Sequence, residues 1–319
     1  MKLKYGSENF QSSSDQGTDI SIVIPFFNGE KFLPRLVKSL CESYEASDGV
    51  FKVQLVVIID STGSDISQVE TLLEHLTAGC GNISHVIQKN ETNFGVAGSR
   101  TIGKSRSSGK YITYIDQDDY VDVSYFSTLE KNLTGEFDFF VLNGYVEFEK
   151  QKIRRPVFYY HNRLTFSKIV RSNFLITPGL LVFNKDRITC EFRQVSMKHP
   201  GSDDWAFYLE LLSDRKLKYK FIRETLIHYV VHDENFHHDK FNFIVSQIRT
   251  IQYFKRKHPR NLVVKMKLSS LHFRLKLNLS MISVSTLTLA DISGFFSLLF
   301  IELFSINNIT WLLWRKHAG

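Results

Sequence analysis

Short apolar, β-branched runs alternate along the first half of the chain with stretches whose apolar residues recur every three or four positions. Ile20–Phe26 and Val53–Ile59 are continuous apolar runs of the kind that form strands buried on both faces. Between them Phe32, Leu33, Leu36, Val37 and Leu40 fall on one helical face, with Pro34 in the first turns, where proline is tolerated, and Asn28 placed to cap the helix. A second helix runs through Val69, Leu72, Leu73 and Leu76, and further strands are predicted at 84–88 and 111–115. Strands and helices alternating at this spacing predict an α/β fold, a mostly parallel sheet flanked by helices. Ligands of such sheets bind beyond the carboxyl ends of the strands, so the residues just after each strand are the ones to inspect.

The second half is less regular. Strands are predicted at 137–146 and 179–183 and a helix at 205–212, and after about Asp239 the pattern becomes helical and basic. The length of 319 residues accommodates one large α/β domain with an appendage, or two modest domains. The pattern divides the chain into a polar tail (1–18), an α/β domain (19–238) with a regular half (19–120) and a less regular half (121–238), and a helical C-terminal region (239–319). The tail lacks the apolar core of a secretory signal, and three unevenly spaced cysteines make neither a disulfide framework nor a zinc pattern. Both point to a cytoplasmic home. The net charge of +7 is uneven, since 255–276 carries Lys255, Arg256, Lys257, Arg260, Lys265, Lys267, Arg274 and Lys276 with no acid among them. A solvated helix face is the first reading of such a run, with an anionic membrane, nucleic acid or acidic polymer as the others.

The most specific chemical feature is Asp116-Gln117-Asp118-Asp119, three carboxylates leaving the end of a predicted buried strand. Like charges so close repel, and a cation relieves them; hard oxygen ligands favour Mg2+ or Mn2+. Asp is also common at strand ends and helix caps, so the tetrapeptide alone admits both readings. Upstream, Asn93 to Lys104 opens a helix with three glycines and carries Arg100, which has the fork to hold a phosphate or a base. The glycine spacing is neither a dinucleotide fingerprint nor a phosphate-binding P-loop, and close helix-on-sheet packing explains it equally well.

Taken in order, Ile22-Val23-Ile24-Pro25-Phe26-Phe27-Asn28-Gly29, then Ile59-Asp60-Ser61-Thr62-Gly63-Ser64-Asp65, then Asn93-Phe94-Gly95 through Arg100, then Asp116-Gln117-Asp118-Asp119, the chain resembles the family 2 glycosyltransferases over about residues 20–232. The resemblance implies a GT-A, nucleotide-diphospho-sugar transferase fold and an inverting enzyme, with 19–238 as its catalytic domain, 19–120 as the donor half and 121–238 as the acceptor half. It implies that Pro25 and Phe27 line the nucleotide base, that Asp60 contacts it, and that Arg100 helps hold base or diphosphate. Asn93, Gly95 and Gln117 join the donor-binding set, Asp116 lies near the ribose and Asp118 ligates the metal. Gly201-Ser202-Asp203-Asp204-Trp205 is similar to the family's acceptor motif, with Asp203 in the place of its Glu and Asp204 as general base, although Ser and Asp before an apolar helix are also ordinary caps. His232 is implied near the metal or diphosphate; a polar loop after the catalytic core is the alternative. Three departures stand out: Phe27 where Tyr is frequent, Ser61-Thr62-Gly63 in place of Asp-Gly-Ser, and Thr101 where Asn commonly follows Arg.

The function expected is transfer of a sugar from a nucleotide-diphosphate donor, UDP-linked as is commonest in the family, to a hydroxyl of a glycan or glycolipid, assisted by Mn2+ or Mg2+. A nucleotidyltransferase would need a glycine-rich basic loop after the first strand, where Pro25-Phe26-Phe27-Asn28 stands instead. A basic polysaccharide- or nucleic-acid-binding protein would use 255–276 but leaves the Asp116 cluster unexplained; no nucleic-acid partner is expected. The stretch 292–314 has Glu302 as its single charge, and three roles fit it: core packing, a bilayer span, or an interfacial anchor that makes the enzyme peripheral on the inner face of a membrane.

Overall fold

The computed structural model describes residues 18–61, 63–158, 164–171, 173–193, 201–213, 216–232, 240–257, 268–273 and 275–276. β1 (Ile20–Phe26), β2 (Val53–Ile59), β3 (Ile83–Lys89) and β4 (Tyr111–Tyr114) pair in the order β3-β2-β1-β4, all parallel. They are linked by α1 (Leu33–Glu45), α2 (Ile66–Thr77) and α3 (Gly95–Arg106). Residues 20–114 therefore form the parallel, helix-flanked sheet that the pattern predicts, and β1 and β2 are buried at every position because helices cover both faces.

Beyond β4 the sheet becomes mixed. β5 (Tyr120–Val121) and α4 (Tyr125–Asn132) precede a long β6 (Phe139–Phe148), which turns into the edge strand β7 (Ile153–Pro156). α5 (Phe166–Arg171), β8 (Leu181–Asn184), α6 (Asp203–Ser213), β9 (Tyr219–Val231) and α7 (Lys240–Lys257) complete the described chain. β8 joins the two halves by pairing antiparallel with both β4 and β6, and β9 runs parallel to β6 and antiparallel to β5. The result is one sheet in the order β3-β2-β1-β4-β8-β6-β9-β5.

The proline of β1 fits this layout. The β1–β4 ladder stops at Val23↔Tyr114, so the missing N–H of Pro25 falls where β4 no longer offers a partner. Pro25 is buried inside the strand, opposite Ile58. Asn28 does not cap α1: it adopts a left-handed turn (φ 48°), and the helix starts after Phe32 with no side-chain cap. Gly103 shows why small residues recur in α3, since a Cβ there would stand 2.2 Å from Val23 Cγ1. α7 docks on α6 through Ser202 Oγ and Ser246 Oγ, 2.9 Å apart, and through Lys257 Nζ donating to Glu210 Oε1 at 2.8 Å. Ile251, Phe254, Leu268, Leu271 and Leu275 join the same core as the sheet. Among the described residues no helix is long and apolar enough to cross a membrane; half of 255–276 and all of 292–314 lie outside them.

Candidate active site

The predicted site residues leave the carboxyl ends of β1, β2 and β4 and meet elements from the second half. Asp60, just past β2, is buried, and its Oδ1 accepts from Asn90 Nδ2 (2.7 Å) and from the backbone N–H of Phe94 (2.9 Å). It thereby fixes the loop entering α3, where Asn93 Oδ1 accepts from the N–H of Gly95 (2.9 Å) and Gly95 takes the left-handed φ of 73° that glycine allows. Phe27, past β1, presents an exposed ring (51%). Gln117 does not reach outward: its Oε1 accepts from Phe27 N–H (2.9 Å) and its Nε2 donates to Phe27 carbonyl (3.0 Å). The amide occupies the space a side chain at Gly29 would need, because a Cβ there would lie 2.0 Å from Gln117 Oε1. The strand-end acidic segment therefore also holds the loop that carries Phe27.

Arg100 joins the two halves. Its guanidinium, buried on α3, donates to Asp116 Oδ1 at 2.6 Å and to Asp203 Oδ2 at 2.7 Å, and lies over the Phe192 ring at 4.9 Å from the centroid. A guanidinium suits two carboxylates at once because its donors form a rigid fork. The sequence reading assigned this cation to base or diphosphate; here its terminal nitrogens are engaged by protein carboxylates. The next residue, Thr101, donates to the carbonyls of Ala97 (3.0 Å) and Phe192 (3.1 Å), so the departure from Asn at this position serves the strap that carries Phe192.

Of the three strand-end carboxylates, Asp118 and Asp119 have separate tasks. Asp118 Oδ2 lies 2.9 Å from His232 Nε2, and the His232 ring stacks on Phe32 at 4.7 Å. Burial, and then the charge of Asp116, push the Asp118 carboxyl above its ordinary value. Its backbone carbonyl accepts from Arg35 Nη2 at 2.5 Å, and Arg35 Nη1 pairs with Glu149 at 3.1 Å. Asp119 is buried and structural: Oδ1 accepts from Val230 N–H (3.0 Å) and Oδ2 from Thr177 Oγ1 (3.1 Å). Burial first, then Asp118 and Asp116, push its carboxyl well above the usual range.

At the start of α6, Ser202 has a left-handed φ of 54°, and Asp203 and Asp204 fall in the first turn. Asp204 is half-buried; Oδ1 accepts from Trp205 N–H (2.6 Å) and Oδ2 from Asn173 Nδ2 (3.1 Å). Burial, and then the neighbouring Asp203 charge, push its carboxyl up to about 7. Asp203 is raised as well, by burial, with Arg100 opposing. A carboxyl that titrates near neutrality beside other carboxylates has the proton affinity a general base needs.

Among the described residues no group of three or more His, Cys, Asp or Glu side chains is disposed to hold a metal. The donor set nevertheless suits Mn2+ or Mg2+ bound jointly with a substrate. Asp118 and His232 converge, and such ions are commonly held by one or two protein ligands plus substrate phosphates.

Sequence reasoning missed three residues. Arg35 sits in an ordinary helix, Asn173 in a connection without a motif, and Tyr229 in an apolar strand. Burial first, and then the charges of Asp119, Asp116, Asp118 and Asp204, raise the proton affinity of the Tyr229 hydroxyl. None of the three has a signal in the chain, because partners far away in sequence define them.

The glycosyl transferase family 2 model matches residues 21–186, more than half of the chain. The chain belongs to glycosyl transferase family 2, whose members are sugar-transferring enzymes. It is 21% identical over 269 residues to the minor teichoic acid biosynthesis protein GgaB of Bacillus subtilis, a match covering 76% of this chain and 27% of that one. The chain spans between 18% and 37% of the length of the curated relatives it matches. Among solved structures, S. aureus TarS 1-349 in complex with UDP-GlcNAc superposes with a TM-score of 0.56 at 13% identity, covering 83% of this chain and 73% of that one. The mannosyltransferase PcManGT of Pyrobaculum calidifontis, in complex with GDP-Man and Mn2+, gives 0.53 at 12%, covering 97% and 84%. At these identities the structures establish the GT-A fold.

Proposed function

We propose that this chain transfers a sugar from a nucleotide-diphosphate donor, UDP-linked, to a hydroxyl of a glycan or glycolipid by a single inverting displacement. The observation that carries the reading is the Arg100 bridge. One guanidinium holds Asp116 of the donor half and Asp203 of the acceptor half within 2.7 Å, which brings the neighbouring Asp204 to the strand end that bears Asp118. Phe27, the Asp60 loop and Asn93–Gly95 form the base end of the donor site. Asp116 lies toward the ribose, and Asp118 with His232 would hold Mn2+ or Mg2+. A divalent ion held there would supply counter-charge for the diphosphate leaving group. Asp204 takes the acceptor hydroxyl proton while that oxygen bonds to the anomeric carbon and the bond from that carbon to the diphosphate oxygen breaks. A UDP-sugar in the TarS complex supports the donor class, and Mn2+ in the mannosyltransferase complex supports the metal. The name of the Bacillus relative supports a cell-surface polymer as acceptor.

The test is hydrolysis and transfer over UDP-Glc, UDP-GlcNAc, UDP-Gal and GDP-Man, with and without Mn2+, and NMR of the product's anomeric configuration. Turnover of GDP-Man alone would overturn the base, and retained configuration would overturn the displacement. For the C-terminal region we propose an interfacial anchor on the inner face of the membrane. Phe295, Phe296, Leu299, Phe300 and Phe304 supply apolar rings and side chains, and the basic run 255–276 supplies charge for anionic head groups.

A further inference from the structure

We propose that Asn173 is the positioning residue that aims the Asp204 carboxylate, a role that rests on the reading of Asp204 as the base. Asn173 follows α5, in a segment distant from every motif of the donor half. Its Nδ2 donates to Asp204 Oδ2 at 3.1 Å, while Trp205 N–H holds Oδ1 at 2.6 Å. Each carboxylate oxygen thus has one fixed donor, which sets the plane of the group and leaves further lone pairs for a proton. The support for Asn173 is itself anchored, because the Trp205 indole Nε1 donates to the carbonyl of Ile169 in α5 at 2.8 Å. α5 and α6 therefore clasp each other through the two residues that flank the carboxylate chemistry.

The amide also keeps its other end unpaired: Asn173 Oδ1 is buried with no hydrogen-bond partner among the described residues. Such an atom is costly, and turning the amide over would set Oδ1 against the carboxylate. With Asp204 ionised only the Nδ2 donor is favourable, so the bond selects the charged form. The other groups facing Asp204 are Asp203 and Tyr208 on α6, Arg100 on α3 and Tyr229 on β9. Asp203 opposes the charge and Arg100 favours it. Asn173 is the neutral side chain among them that acts by direct hydrogen bonding.

The sign follows. Removing a donor to the ionised form raises the pH at which Asp204 loses its proton, so the acid limb of the rate profile moves upward. For N173A we expect a shift of about one pH unit, hence about a fivefold loss at pH 7 and near-wild-type turnover at pH 9. N173D, which sets a carboxyl there, should shift the limb further, and the donor KM should stay within about twofold. Turnover is measured with Mn2+ on whichever of the four nucleotide sugars the wild type hydrolyses. The same titration is read without turnover from the Asp204 carboxyl carbon by 13C NMR of Asp-labelled full-length protein, assigned by its loss in D204N. A uniform loss at every pH, or an unshifted carboxyl titration in folded N173A or N173D, would overturn the proposal. D204N that still turns over would instead overturn the base itself, and the two failures are distinct.

Discussion

Asp116, Asp118 and Asp119 are near neighbours in the chain and differ in what each touches. Asp116 faces a buried guanidinium, Asp118 an imidazole, and Asp119 a backbone N–H and a threonine hydroxyl. Asp118 is thus the carboxylate with a metal-ligand companion. D118A should abolish metal-dependent turnover while circular dichroism and the unfolding midpoint stay near those of the wild type. Normal turnover of D118A in EDTA would remove the metal from the mechanism. In the proposed mechanism Asp204 works in its ionised form, and its carboxyl is pushed up to about 7. The rate should therefore climb as pH rises through about 7 and fall below it. D204N keeps the shape and the bond from Trp205 N–H but cannot take a proton. A loss of about two to four orders of magnitude is expected, with donor affinity retained by calorimetry. A larger loss in D203N than in D204N would move the base back by one residue.

Between elements, Asp119 is the fastener that ties the β4 end to β9 and to the 3-10 turn Pro178–Leu180 that leads into β8. D119A leaves the N–H of Val230 and the hydroxyl of Thr177 without their acceptor and should cost about 1–3 kcal/mol in urea unfolding. D119N can still accept from Val230 and can donate to Thr177. Its sign differs with pH. Because the folded-state carboxyl titrates well above its unfolded value, the wild type binds this proton more tightly when folded. That contribution is full below about pH 4 and is lost as pH rises through the folded value. D119N should match or exceed wild-type stability at neutral pH, and a loss as large as that of D119A would refute the fastener. The element assignments themselves were largely legible, because burial on both faces leaves unbroken apolar runs in β1 and β2 and a single apolar face on α1. The Asn28 cap was misplaced because the chain makes a left-handed turn before α1, and local propensity at one residue does not report where a helix axis must start to meet the sheet.

Across the molecule, β8 and Arg100 stitch the parallel part of the sheet to its mixed part, and α7 extends the same core. The expected membrane contact belongs to this scale. Deleting 291–319 should release the protein from anionic liposomes at low salt, while donor hydrolysis persists. Full-length protein that ignores those liposomes would sink the anchor. By itself the sequence determined the parallel half-sheet, since alternating apolar periods follow from burial, and it determined the strand-end positions of Asp60, Asp116 and Asp118, since chemistry there needs specific residue types. It also placed Asp203-Asp204 at the start of a helix, as the burial of Trp205, Tyr208 and Leu209 bears out. Only the tertiary structure decided that Arg100 is spent on two carboxylates, that Gln117 clamps Phe27, and that Asn173 and Arg35 reach Asp204 and the Asp118 carbonyl. The physical reason is separation along the chain: Asn173 lies 31 residues from Asp204 and Arg100 lies 103 from Asp203. A hydrogen bond between such partners imposes no period and no spacing, so nothing local records it until the sheet has brought its strand ends together.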